Sequence, residues 1–287
     1  MIDFTLLTFK NLLESLQVHN YQFFTVEEYF TGSIASSTNR PLAGFPSPHP
    51  FIILRHDVDR KPKNSLATAI IENKLGIQGT YYFRLDSKSF NVDIIKQIAD
   101  LGHEVGYHYE TMDTINEKFK MNNLKFKSEE ERIDEAYKLF CENLEQLRKL
   151  YPVKTICMHG SPRSAFDNRD IWKKYSYKDL GIVGEPYFDI DFDRFFYLTD
   201  TGRRWDGFRY SIRDKVPQQE RWIKEGLIFK TTNDIIKAAQ ENKLPTQIMI
   251  TVHPQRWTNH VGNWMKEYCL QSCKNVVKRF LIDYRKQ

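Results

Sequence analysis

Two carboxylates and a histidine stand together in Arg55-His56-Asp57-Val58-Asp59, directly after the apolar run Phe51-Ile52-Ile53-Leu54. A continuous apolar run bounded by polar residues reads as a strand buried on both faces, and in a parallel sheet the carboxyl end of such a strand is where chemistry is built. If the strand stays extended, Asp57 and Asp59 point to the same side, so one can hold a metal ion while the other handles a proton. Similar events recur. His103-Glu104-Val105-Gly106-Tyr107-His108-Tyr109-Glu110 carries two histidines, Thr155-Ile156-Cys157-Met158-His159 delivers another, and Ile248-Met249-Ile250-Thr251-Val252-His253-Pro254 one more. Independent core histidines would not gather at strand ends, so the set points to a metal-assisted acid–base site.

These segments give the chain a resemblance to the polysaccharide deacetylase family, the NodB-homology, carbohydrate esterase family 4-like group of metal-dependent hydrolases. Asp57-Val58-Asp59 sits where that family has its paired aspartates. Gly102-His103-Glu104-Val105-Gly106-Tyr107-His108 looks like the approach to its metal-binding histidine motif, and Val252-His253-Pro254 resembles its late histidine motif. The Arg-His-Asp-Val-Asp opening is similar to the branch linked to surface-polysaccharide and O-antigen biosynthesis. The resemblance covers residues 51–254. It implies an α/β fold, an irregular seven-stranded (β/α) barrel of NodB type with its site at the carboxyl face. It also implies a divalent metal, Zn²⁺ first among them, and hydrolysis of an N-acetyl group from an amino sugar.

Two departures from the family bear on the ligand set. Val58 separates aspartates that are adjacent in the family, so their roles do not carry over directly; Asp59 is assigned to the metal and Asp57 to the general base, an assignment that can be exchanged without cost to the argument. The family's second metal histidine falls at Met112, and a thioether is a poor ligand for a hard or borderline ion. The third ligand is then Glu110, two residues beyond His108 on the same side of a strand, or else His159, whose other reading is substrate binding. His253 precedes a proline at a strand end and reads as the catalytic acid. His103 and His108 are five apart and face opposite sides of a strand, so His103 reads as structural and His108 as the ligand. His56 alternates away from Asp57 and reads as a packing residue. Beyond the strand ends, Arg203, Arg204 and Trp205 form a loop suited to gripping an anionic sugar, and Glu185 follows a strand as a candidate for the site wall.

The chain has 287 residues, 28% charged and 41% hydrophobic, with a net charge of +5. The basic residues are dispersed, which favours an anionic small molecule such as a sugar phosphate over nucleic acid. The first residues lack a basic leader, no run is long enough to span a membrane, and the four cysteines fall on strand and helix positions. The expectation is a cytoplasmic protein without disulfides. Rival readings are a metal-free carbohydrate-binding pseudoenzyme, motivated by Met112, and a metal-dependent amidohydrolase of a non-sugar amide.

The elements that must position these residues alternate. Strands are expected at 51–54, 79–84, 104–109, 155–158, 181–183, 195–199, 228–229 and 246–252, with helices at 63–75, 92–101, 129–150, 232–242 and 263–284. Residues 1–50 read as an appended helix and a Ser-, Gly- and Pro-rich loop, and 51–287 as the barrel with a C-terminal helix.

Overall fold

The computed structural model describes residues 2–32, 50–160, 166–207 and 216–284, with side chains through residue 277. Most of the expected loop before residue 50 lies outside these segments.

Seven parallel strands form one sheet: β1 (Gln22–Phe24), β2 (Phe51–Val58), β3 (Thr80–Phe83), β4 (Glu104–Tyr109), β5 (Ile156–Met158), β6 (Phe196–Thr199) and β7 (Gln247–Val252). The main path runs β5-β4-β3-β2-β7-β6. Strands β2 to β5 follow chain order, and the last strand returns to pair with β2, which is the cyclic order of a (β/α) barrel. Beyond β5 the order continues only as a single bridge between Thr155 and Gly184, and among the described residues no ladder joins that edge to β6. The sheet is therefore a curled, incomplete barrel of the α/β class.

The helices are α1 (Leu6–Val18), α2 (Val26–Thr31), α3 (Pro62–Lys74), α4 (Val92–Asp100), α5 (Thr111–Met121), α6 (Glu129–Arg148), α7 (Pro186–Asp189), α8 (Gln219–Lys224), α9 (Thr232–Gln240) and α10 (Val261–Tyr284). Local chemistry explains several starts. Thr25 with Glu28 and Thr231 with Asp234 form reciprocal capping boxes, Ser128 and Asn91 cap α6 and α4, and Pro62 opens α3.

Several elements depart from expectation: α2, α5, α7 and α8 are not among the expected helices, and three strand segments differ. The strand expected at 181–183 survives only as the Gly184 bridge. The strand expected at 228–229 does not form; Phe229 instead packs its ring against Phe196. The segment before residue 51 supplies β1, which pairs with Phe51, Ile52 and Ile53 along the same edge of β2 that β3 occupies from Arg55 to Val58.

The strand pleat sets the layers that matter for function. Partners in register share a face. Arg55 lies level with Thr80 and Thr251, Asp57 with Tyr82, Tyr82 with Gly106, and His108 with Cys157. Gly106 has no substitute here, since a Cβ would collide with the Tyr82 ring, whose hydroxyl crosses to donate to Thr155 Oγ1 at 3.0 Å. The alternate residues face the helices. His56 stacks on Tyr81 at 4.0 Å and lies 2.8 Å from Glu72 on α3, while His103 reaches the Ala69 carbonyl at 3.0 Å. Both histidines are thus bound into the sheet–helix packing.

Glu104 closes the bottom of the same inner face. Its carboxyl group is fully engaged by Glu27 N–H, Thr80 Oγ1 and Thr155 Oγ1. Burial pushes its pKa up to about 7 from 4.5 in spite of these donors. The folded state therefore holds this proton more tightly than the unfolded chain. The resulting stabilisation is fully present below about pH 4.5 and is lost as pH rises through about 7. Replacing Glu104 by Gln, which keeps the shape of the neutral acid, should flatten the decline of chemical-denaturation stability over that window by up to about 3 kcal/mol. An unchanged pH profile in Glu104→Gln would show that the carboxyl is already ionised in the folded protein.

Candidate metal centre and catalytic site

The ends of β2, β4, β5 and β7 bring the expected residues together. After Val58 the chain turns, with Asp59 N–H donating to the Asp57 carbonyl at 3.1 Å, and this swings Asp59 over the mouth of the barrel. There Asp59 Oδ1 lies 3.6 Å from His108 Nε2 and 3.5 Å from His159 Nε2. One ligand atom from each of the three residues falls within 4.8 Å of the others. Each side chain is oriented by a partner on its far side. His108 Nδ1 donates to the Cys157 carbonyl at 2.9 Å, fixing the tautomer that leaves Nε2 as an acceptor. Gln255 Nε2 donates to Asp59 Oδ2 at 2.9 Å, and Glu110 Oε2 lies 3.0 Å from His159 Nδ1.

The orphan in this arrangement is Asp59 Oδ1, a buried carboxylate oxygen without a hydrogen-bond donor, flanked by two imidazole nitrogens. One hard oxygen and two borderline nitrogens are a donor set for a divalent transition ion, with room for further ligands. In the chain alone, burial works against ionising Asp59, yet His108 beside it and the charges of His159 and His253 hold it well below the usual carboxylate range.

Glu110 takes a different place from the one expected. Its Oε1 accepts from Arg84 Nε at 2.9 Å and Nη2 at 2.5 Å, and its Oε2 faces His159. It therefore lies behind His159, and the third position beside Asp59 and His108 belongs to His159. Met112, at the family's second histidine position, is buried in the core on the first turn of α5.

Asp57 lies deeper. Arg55, two residues earlier on the same face, donates to Asp57 Oδ2 at 2.9 Å while its other carboxylate oxygen has no donor. Burial favours the neutral acid, but Arg55, His108 and His253 outweigh it and keep Asp57 ionised below the usual carboxylate range. Across the barrel, His253 Nδ1 donates to Asp200 Oδ1 at 2.6 Å. Asp200 also accepts from His253 N–H, Trp257 Nε1 and Arg256 Nη1, at 3.0, 2.8 and 2.6 Å. Asp200 is fully buried and follows β6 by one residue, a position that strand-end scanning could have found.

The remaining expected residues do not join the site, and their readings are corrected. Glu185 is fully buried and accepts from the N–H groups of Met158, Tyr187 and Phe188, so it caps α7 instead of lining a wall. Trp205 is buried, donates to Thr232 Oγ1 at 2.9 Å and offers no face for a sugar. Arg204 forks onto Asp206 through two contacts of 2.7 Å, and Arg203 stacks on Trp264. Both arginines line a cavity that shares no residue with the cleft of about 560 Å³ that reaches His108 and His159.

Comparison with known proteins comes to little. No family model matches the chain, and no curated protein does. Among solved structures, a mutant of a CE4 family pseudoenzyme with restored enzymatic activity is similar at 13% identity and a TM-score of 0.38, over 80% of this chain and 64% of that one. The chain thus spans less than two thirds of that protein, and a likeness this slight adds nothing to the geometry.

The ligand set has a direct test. His108→Ala and His159→Ala should each lose most bound metal by elemental analysis. Glu110→Gln should weaken affinity by about 10–100-fold, as expected of a group that orients a ligand. Met112→Leu should leave occupancy unchanged. Full occupancy in His159→Ala would remove it from the centre.

Proposed function

We propose that the protein is a metal-dependent N-deacetylase acting on an N-acetylated amino sugar. The observation that carries this reading is the division of labour between the two aspartates: Asp59 Oδ1 faces two imidazoles, whereas Asp57 faces Arg55. Asp59, His108 and His159 would hold the ion, and their nitrogen and oxygen donors suit Zn²⁺. The chemistry such an ion supplies is Lewis acidity toward an amide carbonyl and a water.

The chain's own residues do the rest. Asp57, kept ionised by Arg55 and with one oxygen undonated, accepts the proton of the attacking water. His253, whose Nδ1–H is committed to Asp200, presents Nε2 as the donor to the departing amine. An amine needs that proton because an amide anion is a very poor leaving group. Arg84 ties the two sides of the site, donating to Glu110 and, at 3.2 Å, to the Asp59 carbonyl.

The cleft is lined by mixed charges, Lys88, Lys118 and Lys120 beside Asp86, Asp113 and Glu117, and the three lysines form no ion pair among the described residues, which leaves them available to an anionic group of a substrate. This supports a phosphorylated precursor of a surface glycan, in keeping with the O-antigen-type branch that the Arg55–Asp59 segment resembles. A cytoplasmic location would fit such a precursor.

Two outcomes are expected. His253→Ala should retain its metal and slow acetate release by roughly 10²–10⁴-fold, the range for losing a general acid; loss of metal instead would make His253 a ligand. In a substrate screen, acetate should be released from N-acetylated sugar phosphates, with Lys118→Ala raising KM more than it lowers kcat. Efficient deacetylation of chitin oligomers with none of any phosphorylated sugar would overturn the substrate class while leaving the hydrolytic reading in place.

A further inference from the structure

The C-terminal helix α10 reverses the usual pattern of a surface helix. Its body-facing side is largely polar: Trp264, Glu267, Gln271 and Asn275, spaced by three or four residues, share one helical face and are buried or half-buried. Glu267 pairs with Arg60 and Lys61, Asn275 Nδ2 donates to the Gly202 carbonyl at 2.8 Å, and Trp264 Nε1 donates to the Asp3 carbonyl at 2.7 Å. The opposite side is mostly apolar and faces water. Met265, Cys269, Leu270, Cys273, Val276 and Val277 are all exposed there, the Met, Leu and Val residues by 43% to 58%. Apolar residues ordinarily mark the side of a helix that meets a core, and a contiguous exposed set marks a surface that meets something else.

Charge indicates what that surface meets. Residues 261–287 contain six Lys and Arg against two acids, so this segment alone holds +4 of the chain's net +5. One of the two acids, Glu267, is turned inward onto Arg60 and Lys61. Lys266 is exposed among the outward apolar residues, and exposed Lys274 lies at their edge. A second copy of the chain would set like charge against like charge. An anionic lipid surface instead offers an apolar layer for the side chains and phosphate groups for the lysines. The long lysine stems let the ammonium groups stay at headgroup level while their apolar neighbours sink.

We infer that α10 is a membrane-surface helix that docks the protein on anionic lipid through its outward apolar face. Among the described residues no helix is long and apolar enough to cross a membrane, so this docking lies in the plane of the surface. The anchors of α10 come from the same end of the barrel as the candidate metal centre: Arg60 and Lys61 directly follow Asp59 after β2, and Gly202 lies in the turn after β6. The inference concerns binding alone and does not depend on the deacetylase reading.

Sedimentation of the full chain with lipid vesicles tests it. Phosphatidylcholine vesicles containing about one third phosphatidylglycerol should retain the protein at least about tenfold more strongly than phosphatidylcholine alone, and ionic strength of about 1 M should remove most of that difference. The double variant Val276→Ser, Val277→Ser changes two exposed side chains, so thermal melting should be unaffected while retention falls by about tenfold or more. Lys266→Glu should weaken retention through charge alone. Absence of retention on anionic vesicles overturns the inference, as does equal retention on neutral ones or retention unchanged in the double serine variant. A wild-type dimer in light scattering that the serine variant dissolves, with no vesicle binding, would overturn it in favour of a second copy as the occupant.

Discussion

A carboxylate inside a parallel sheet stays ionised only if a cation is built in beside it, and Arg55 does this for Asp57. The guanidinium is fully buried, donates to Asp57 and the Tyr187 hydroxyl, and lies 5.1 Å from the Tyr187 ring centre. Neither charge would be tolerated there alone. Their two-residue spacing on one strand guarantees that both face inward, so the pleat of β2 delivers a ready ion pair to the floor of the site. This explains why the most polar strand in the protein is also its most central, flanked by β7 on one edge and by β1 and β3 on the other.

Above that floor each functional group is oriented from behind. The Cys157 carbonyl sets the His108 tautomer, Glu110 faces the back of His159, Gln255 occupies the second oxygen of Asp59, and Asp200 fixes His253. These supports come from β5, β4, the 3-10 turn after β7 and the end of β6, so four separate elements must be in place before the geometry exists. Such preorganisation places the cost of arranging the groups in folding instead of in the reaction. It also leaves Asp57 and Asp59 close enough to His108 and His253 for those histidines to act on the charge of both carboxylates.

The two cavities differ in character. The cleft at the barrel mouth is lined by mixed charges with lysines lacking acidic partners, which suits reversible binding of a charged substrate. The Arg203 cavity instead has one buried cation within an aromatic surround. Arg203 N–H donates to the Asp200 carbonyl, and Phe4 beside Arg203 packs on Trp257, whose indole donates to Asp200.

Much of this was legible in the residues. Apolar runs ending in Asp57, Asp59, His108, His159 and His253 identified the strands and the face on which chemistry is placed, because the period-two pleat and the carboxyl-end rule depend on local pattern alone. Helix boundaries followed from caps and glycines for the same reason. What the pattern could not supply was distance between segments far apart in sequence. That His159, and not Glu110, stands beside Asp59 depends on the register of β4 against β5 and on Arg84 reaching across to draw Glu110 aside. That Trp205 and Glu185 are buried, that β1 joins the sheet, and that Asp200 stands behind His253 were likewise decided by packing. A one-residue change in register reverses which side chains meet, and only the assembled sheet sets that register.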